Sequence, residues 1–105
     1  MATTEVNYFS GDGGGFTEVE YKASVSYTAN STTIVSGLSK KPKGVSFRYT
    51  TSNYAITAFD GFDGNKEYEN GVAGSRTYIF NNDSITLSAK LSSSNQTLSG
   101  MYIYY

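Results

Sequence analysis

The sequence predicts an all-β protein: an antiparallel β-sandwich, jelly-roll-like, of seven or eight strands in a single domain spanning residues 1–105. Three observations predict it. Apolar residues recur at every second position over several stretches, the period of a pleated strand and not of a helix. Groups of Gly, Asn, Asp and Ser punctuate those stretches at roughly 8–12-residue spacing, as in sandwiches and small barrels. The composition agrees, with 10 Tyr, 6 Phe and 11 Gly beside many Ser and Thr. Aromatic and β-branched side chains fit a pleated surface, and Gly and Asn fit turns.

Taken in order, Glu5 to Phe9 reads as a short strand, and Ser10 to Gly15 as a glycine loop. Val19 to Ala29 carries the cleanest alternation, with Val19, Tyr21, Ala23, Val25, Tyr27 and Ala29 on one face and Glu20, Lys22, Ser24, Ser26 and Thr28 on the other. That is a long antiparallel strand, half buried. Thr33 to Leu38 and Val45 to Thr50 follow, joined by Ser39 to Gly44 with the one proline, Pro42. They read as a hairpin at the centre of the fold. Asn53 to Phe59 is apolar on both faces, which suits a central strand. Phe-Asp-Gly is then written twice, from Phe59 to Gly64, and the Gly- and Asn-rich segment to Ser75 reads as the longest loop. Arg76 to Phe80, Ile85 to Leu91 and Leu98 to Tyr105 complete the strands. The last is apolar enough to sit inside the sheet with a neighbour on each side.

Composition narrows the function. The chain lacks Cys and His, which removes thiolate chemistry, the usual general base near neutral pH and the commonest transition-metal ligand. Net charge is −1 and the basic residues cluster only at Lys40, Lys41 and Lys43. Nucleic-acid binding through phosphate neutralisation needs more positive charge on one face. No stretch has the apolar length of a membrane span, and the N-terminus lacks a basic-then-apolar export signal, so the expectation is a soluble protein without membrane insertion. Gly11 to Gly15 could suggest a phosphate cradle, but a strand follows it where that chemistry needs a helix N-terminus. The Asn30, Asn82 and Asn95 sequons fit an Asn- and Ser-rich surface.

Two constellations carry possible chemistry. Asp60, Asp63, Asn65 and Glu67, with Glu69 beyond, offer hard oxygen ligands on a Gly-rich loop, which is what Ca²⁺ takes. Their spacing departs from the twelve-residue calcium loop. The same acids could serve glycoside hydrolysis, but that needs rigidly held carboxyls with one buried, and the expectation is no enzyme and no resident cofactor. The tyrosines are the second constellation. Tyr21, Tyr27 and Tyr49 fall on apolar strand faces and are expected in the core. Tyr54, Tyr68, Tyr78, Tyr102 and Tyr104 are expected at a surface, where aromatic rings stack on sugars or anchor protein contacts.

Ile34 to Val45, Ile-Val-Ser-Gly-Leu-Ser-Lys-Lys-Pro-Lys-Gly-Val, resembles a motif of small β-domains in bacteriophage and prophage virion proteins, chiefly tail- or fibre-associated ones. Ile85-Thr-Leu, a polar turn, and the closing Tyr102-Ile103-Tyr104 resemble the same domains, so the likeness covers residues 34–105. Lys40 departs from it, standing where the pattern commonly has an aromatic residue. The resemblance implies a non-catalytic virion component (tail, fibre or capsid decoration) that contacts the host surface. It also implies manufacture in the bacterial cytoplasm and partners that are other virion proteins or further copies of itself, such as a trimer. It transfers no catalytic residue. A carbohydrate-binding module outside any virion, contacting a bacterial surface glycan, is the alternative expectation.

Overall fold

The computed structural model describes residues 16–105 and the backbone of residues 2–4. The strand expected at Glu5–Phe9 and the glycine loop after it lie outside the described residues. Among the described residues nine strands form: β1 (Ala2–Thr4), β2 (Val19–Tyr27), β3 (Thr33–Ser36), β4 (Gly44–Tyr49), β5 (Ile56–Phe59), β6 (Lys66–Glu69), β7 (Val72–Phe80), β8 (Ser84–Leu87) and β9 (Gln96–Tyr104). All pairings are antiparallel, so the protein is all-β as expected. One hydrogen-bonded order, β1-β2-β9-β4-β5-β6-β7-β8-β3, runs through the whole set. The sheet curls until it nearly closes on itself around one interior.

That interior holds Ile34, Val45, Phe47, Ile56, Tyr78, Ile85, Leu98, Met101 and Ile103 among others, all buried. On β4, β5 and β8 every second residue supplies it, as a period of two requires. Burying a side chain such as Leu98 or Ile103 contributes on the order of 1.5–3 kcal/mol each. A smaller cluster of Phe16, Val19 and Tyr104, with Phe59 against it, lies apart from the main one. Its rings stack at 5.1 Å for Phe16–Tyr104 and 5.6 Å for Phe16–Phe59. This cluster is why β5 reads as apolar on both faces. Gly44 sits beneath Phe59, and a Cβ there would lie 2.9 Å from its Cε1 and 3.3 Å from the Ala58 carbonyl oxygen.

The closing strand β9 lies between β2 and β4, with neighbours on both sides. It does not keep one face inward throughout. Met101 and Ile103 point in, and so does Leu98, three positions before Met101. The change of phase falls at Gly100, which has φ +57° where the pairing with β4 shifts register. β2 changes phase at the same level, between its Lys22–Met101 and Ser24–Ser99 pairs. Val25 and Tyr27 therefore join the main interior while Val19 joins the outer cluster. The single apolar face expected over Val19–Ala29 is thus two half-faces. Glu20, expected on the wet side, is buried opposite Ile103 and accepts a hydrogen bond from the Tyr105 hydroxyl at 2.6 Å. Tyr21, expected in the core, is half-buried and packs its ring on Tyr102 at 5.0 Å.

Two further expectations are corrected. The strands on either side of Pro42 are not a hairpin, because β3 pairs with β8 while β4 pairs with β5 and β9. The connecting segment is an arch instead. Gly37 turns it at φ +74°, Pro42 is buried within it, and its ends are tied by Leu38 N–H to the Asp83 carbonyl and Lys43 N–H to the Tyr104 carbonyl. The segment from Asn65 to Ser75 is not a long loop but mostly the β6–β7 hairpin. Asn70 and Gly71 both have positive φ, +54° and +86°, and Asn-Gly is the pair that a two-residue hairpin turn favours, because its twist matches that of the flanking strands.

Candidate functional site

The doubled Phe-Asp-Gly segment folds into an ordered corner between β5 and β6. Gly61, Asp63, Gly64 and Asn65 all have positive φ, and Asp63–Asn65 forms one tight turn. Asn65 holds the corner from inside. Its Oδ1 accepts from Gly61 N–H at 2.8 Å, and its Nδ2 donates to Asp60 Oδ1 and to the Tyr78 carbonyl, each at 3.1 Å. The corner presents Phe62, which is 55% exposed. Its ring meets Tyr68 at 5.7 Å with the planes 40° apart. The Tyr68 hydroxyl donates to Asp63 Oδ2 at 2.6 Å, and Lys66 Nζ lies 3.8 Å from Asp63 Oδ1. The hydrogen bond to Asp63 holds the Tyr68 hydroxyl proton, raising its pKa above the ordinary tyrosine value. The result is an outward aromatic pair edged by a carboxylate and an ammonium group.

Glu67 belongs to a different environment. It is buried, and both carboxylate oxygens accept from Arg76 Nη1 at 2.7 Å while Oε1 also accepts from the Tyr78 hydroxyl at 2.7 Å. Burial first, then the Glu67 charge and hydrogen bond, push the Tyr78 phenol far above its ordinary range. Burial works against the Arg76 charge, but Glu67 outweighs it and its pKa rises. The calcium candidates are therefore divided, with Asp60 and Asn65 meeting at the corner and Glu67 apart from them. Asp63 is engaged by Tyr68, Asn65 turns its amide nitrogen toward Asp60, and Glu67 faces inward to Arg76. Among the described residues no group of three or more acids is placed to hold a metal ion.

The tyrosines expected at a surface divide. Tyr54 and Tyr102 are exposed, at 54% and 42%, and Tyr68 is half-buried. Tyr78 and Tyr104 are buried, the first against Glu67 and the second beneath Phe16. Strand phase explains the difference: Tyr78 lies on the inward face of β7, between outward Thr77 and Ile79, and Tyr104 is roofed by the segment that brings in Phe16. Sequence reasoning missed Phe62, whose signal was its place at the centre of the doubled Phe-Asp-Gly. It also missed Arg76, whose signal was the Asn-Gly turn that folds β7 back beside Glu67. Two of the outward acids are engaged with cations: Asp60 with Lys41 at 3.7 Å and Glu18 with Lys40, whose ammonium also sits 5.2 Å from the Tyr105 ring centre. What the described surface offers is stacking and hydrogen bonding.

Among the described residues no helix is long and apolar enough to cross a membrane. Comparison with protein-family models, with curated proteins and with solved structures finds no match.

Proposed function

We propose that the chain is a non-catalytic structural or surface-binding component of a bacteriophage or prophage virion, acting through its outer face. The observation that supports binding over catalysis is the division of labour among side chains. The interior is filled by apolar residues and by acids clamped to Arg76 and Tyr105, while aromatic rings at Phe62–Tyr68 and Tyr21–Tyr102 are turned outward. Paired rings set at a tilt and partly exposed give large contact area at low entropic cost. The virion setting rests on the likeness of residues 34–105 to phage tail and fibre domains. The test is to induce the source strain, purify the released particles, and look for this chain by mass spectrometry and immunogold labelling. Its absence from particles whose other structural proteins are detected refutes the virion setting.

One observation favours the second reading, a carbohydrate-binding module outside a virion. Phe62, Tyr68, Asp63 and Lys66 place a ring face beside polar groups, as sugar recognition needs. A glycan array probed with the protein and with Phe62→Ala discriminates. Binding lost with Phe62→Ala supports it, and a blank array removes it.

A further inference from the structure

Asn70 and Gly71 form the tip of the β6–β7 hairpin, and theirs is the one Asn-Gly pair in the chain. Glu69 and Val72 close the ladder beneath them, and both tip residues are exposed. The Asn70 N–H donates to the Ala55 carbonyl at 2.9 Å, which anchors that residue from outside the hairpin. Among the described residues no hydrogen bond holds the Asn70 side-chain amide, the Asn70 carbonyl or the Gly71 N–H. The other described asparagines are placed differently. Asn65 has its amide tied at three points, and Asn81 Nδ2 donates among Ile79, Ser84 and Thr86. Asn30 Oδ1 accepts from Lys90, and Asn95 Oδ1 accepts from Ala29 N–H. Asn53 and Asn82 are exposed, but Tyr54 and Asp83 follow them, so a side chain stands beside the next nitrogen in each case.

We infer that Asn70 is a self-modification site, the position at which this chain first deamidates, so that the hairpin tip changes from a neutral amide to a carboxylate. The Gly71 nitrogen gives its proton to hydroxide and attacks Asn70 Cγ. The Cγ–Nδ2 bond breaks, the amide nitrogen takes up a proton and leaves as ammonia, and a five-membered succinimide remains. Water then opens the ring. Cleavage at Cγ gives aspartate, and cleavage at the main-chain carbonyl gives isoaspartate, with the chain running through Cγ. One water enters, one ammonia leaves, and nothing is oxidised or reduced. Gly71 exposes the attacking nitrogen because it has no Cβ, and its backbone adopts either sign of φ. The Asn70–Gly71 peptide has to rotate for that nitrogen to meet Cγ; no hydrogen bond of its own resists the rotation, and hairpin tips open more readily than the strands below them. Asp60-Gly61 and Asp63-Gly64 also place glycine next, but the Gly61 N–H is bound by Asn65 and Asp63 Oδ2 by the Tyr68 hydroxyl. Isoaspartate lengthens the main chain inside a two-residue turn, whose length sets the register of Tyr68 and Glu69 against Ala73 and Val72. Either product adds a negative charge beside Glu69, on a chain of formal net charge −1. The inference is independent of the virion and glycan readings, since it concerns the chemistry of the turn itself.

The test is to incubate the folded full chain at 37 °C, at pH 8 and at pH 9, and to separate the acidic form by ion exchange. Mass spectrometry of the tryptic peptide 67–76, in which Asn70 is the one asparagine, then locates the change and distinguishes aspartate from isoaspartate. The first acidic form is expected to carry its modification at 70. It is expected to appear about tenfold faster at pH 9 than at pH 8, as the deprotonated fraction of the Gly71 nitrogen rises. In the purified isoaspartate form the amides of Val72 and Ala73 are expected to exchange faster than in the parent. Asn70→Gly leaves a Gly-Gly pair that suits the same turn, and is expected to lose the early acidic form. Earlier conversion at another asparagine overturns the inference, as does conversion at 70 only after unfolding in urea. The same early acidic form from Asn70→Gly, or a rate equal at the two pH values, also overturns it.

Discussion

Replacing Arg76 by methionine removes the cation from a buried carboxylate and leaves the carboxylate in place. Glu67 keeps only 6% of its side-chain surface exposed, and after the change its one remaining donor is the Tyr78 hydroxyl. Breaking one side of a buried pair costs about 3–5 kcal/mol. Arg76 retains 24% side-chain exposure, which lets water reach the vacated site, so the lower end, about 3 kcal/mol, is expected. For a chain of this length that corresponds to a fall in Tm of about 12 °C. The pair as a whole is a different matter, because both charges were desolvated to form it. Arg76 Nε is buried without a hydrogen-bond partner, so the guanidinium recovers only part of its lost hydration. The double variant Glu67→Leu/Arg76→Met removes both charges but leaves the buried Tyr78 hydroxyl without its acceptor, so it is expected about 1–3 kcal/mol below the parent and no worse than Arg76→Met alone. Urea unfolding of the parent, both single variants and the double variant closes the cycle. A single Arg76→Met variant as stable as the parent, or a double variant worse than the two singles combined, would refute the reasoning.

Tyr27→Phe leaves the Leu91 and Ser92 amides, now 3.0 and 3.2 Å from the Tyr27 hydroxyl, without an acceptor, and is expected to cost about 2–3 kcal/mol by urea unfolding. Gly44→Ala forces a methyl group against Phe59, whose ring is already packed on Phe16 and Tyr104, so a loss of about 1–3 kcal/mol is expected, with a changed near-ultraviolet aromatic spectrum. Alkaline pH should unfold the protein: Tyr78 and Tyr105 have phenol pKa values raised by burial first and then by Glu67 and Glu20, so the unfolded chain releases protons from about pH 10 while the folded one holds them. That contribution is complete below pH 10 and declines above it by up to about 1.4 kcal/mol per pH unit for each phenol; denaturation midpoints that stay level from pH 9 to 11 contradict it.

How much was legible in the chain can be seen in particular places. Val19–Tyr27, Gly44–Tyr49 and Gln96–Tyr104 are strands where alternation announced them, because a residue's preference for a pleated backbone is settled by its immediate neighbours. The turn at Asn70–Gly71 was equally legible, and only its setting in a Gly-rich stretch hid it. Three things were not local. Pairing depends on which strands meet, so the apolar runs around Pro42 resembled a hairpin although β3 belongs beside β8. Facing depends on phase, and Gly100 reverses it, which sends Glu20 inward and Tyr21 outward. Exposure of a ring depends on what covers it, so Phe62 stands clear while Tyr104, a strand residue of similar character, lies under Phe16. Period-two patterning decided that this chain is a β-protein, because steric preference acts residue by residue. Partners, phase and cover were decided by the nearly closed sheet, because each needs residues far apart in the chain to be brought together.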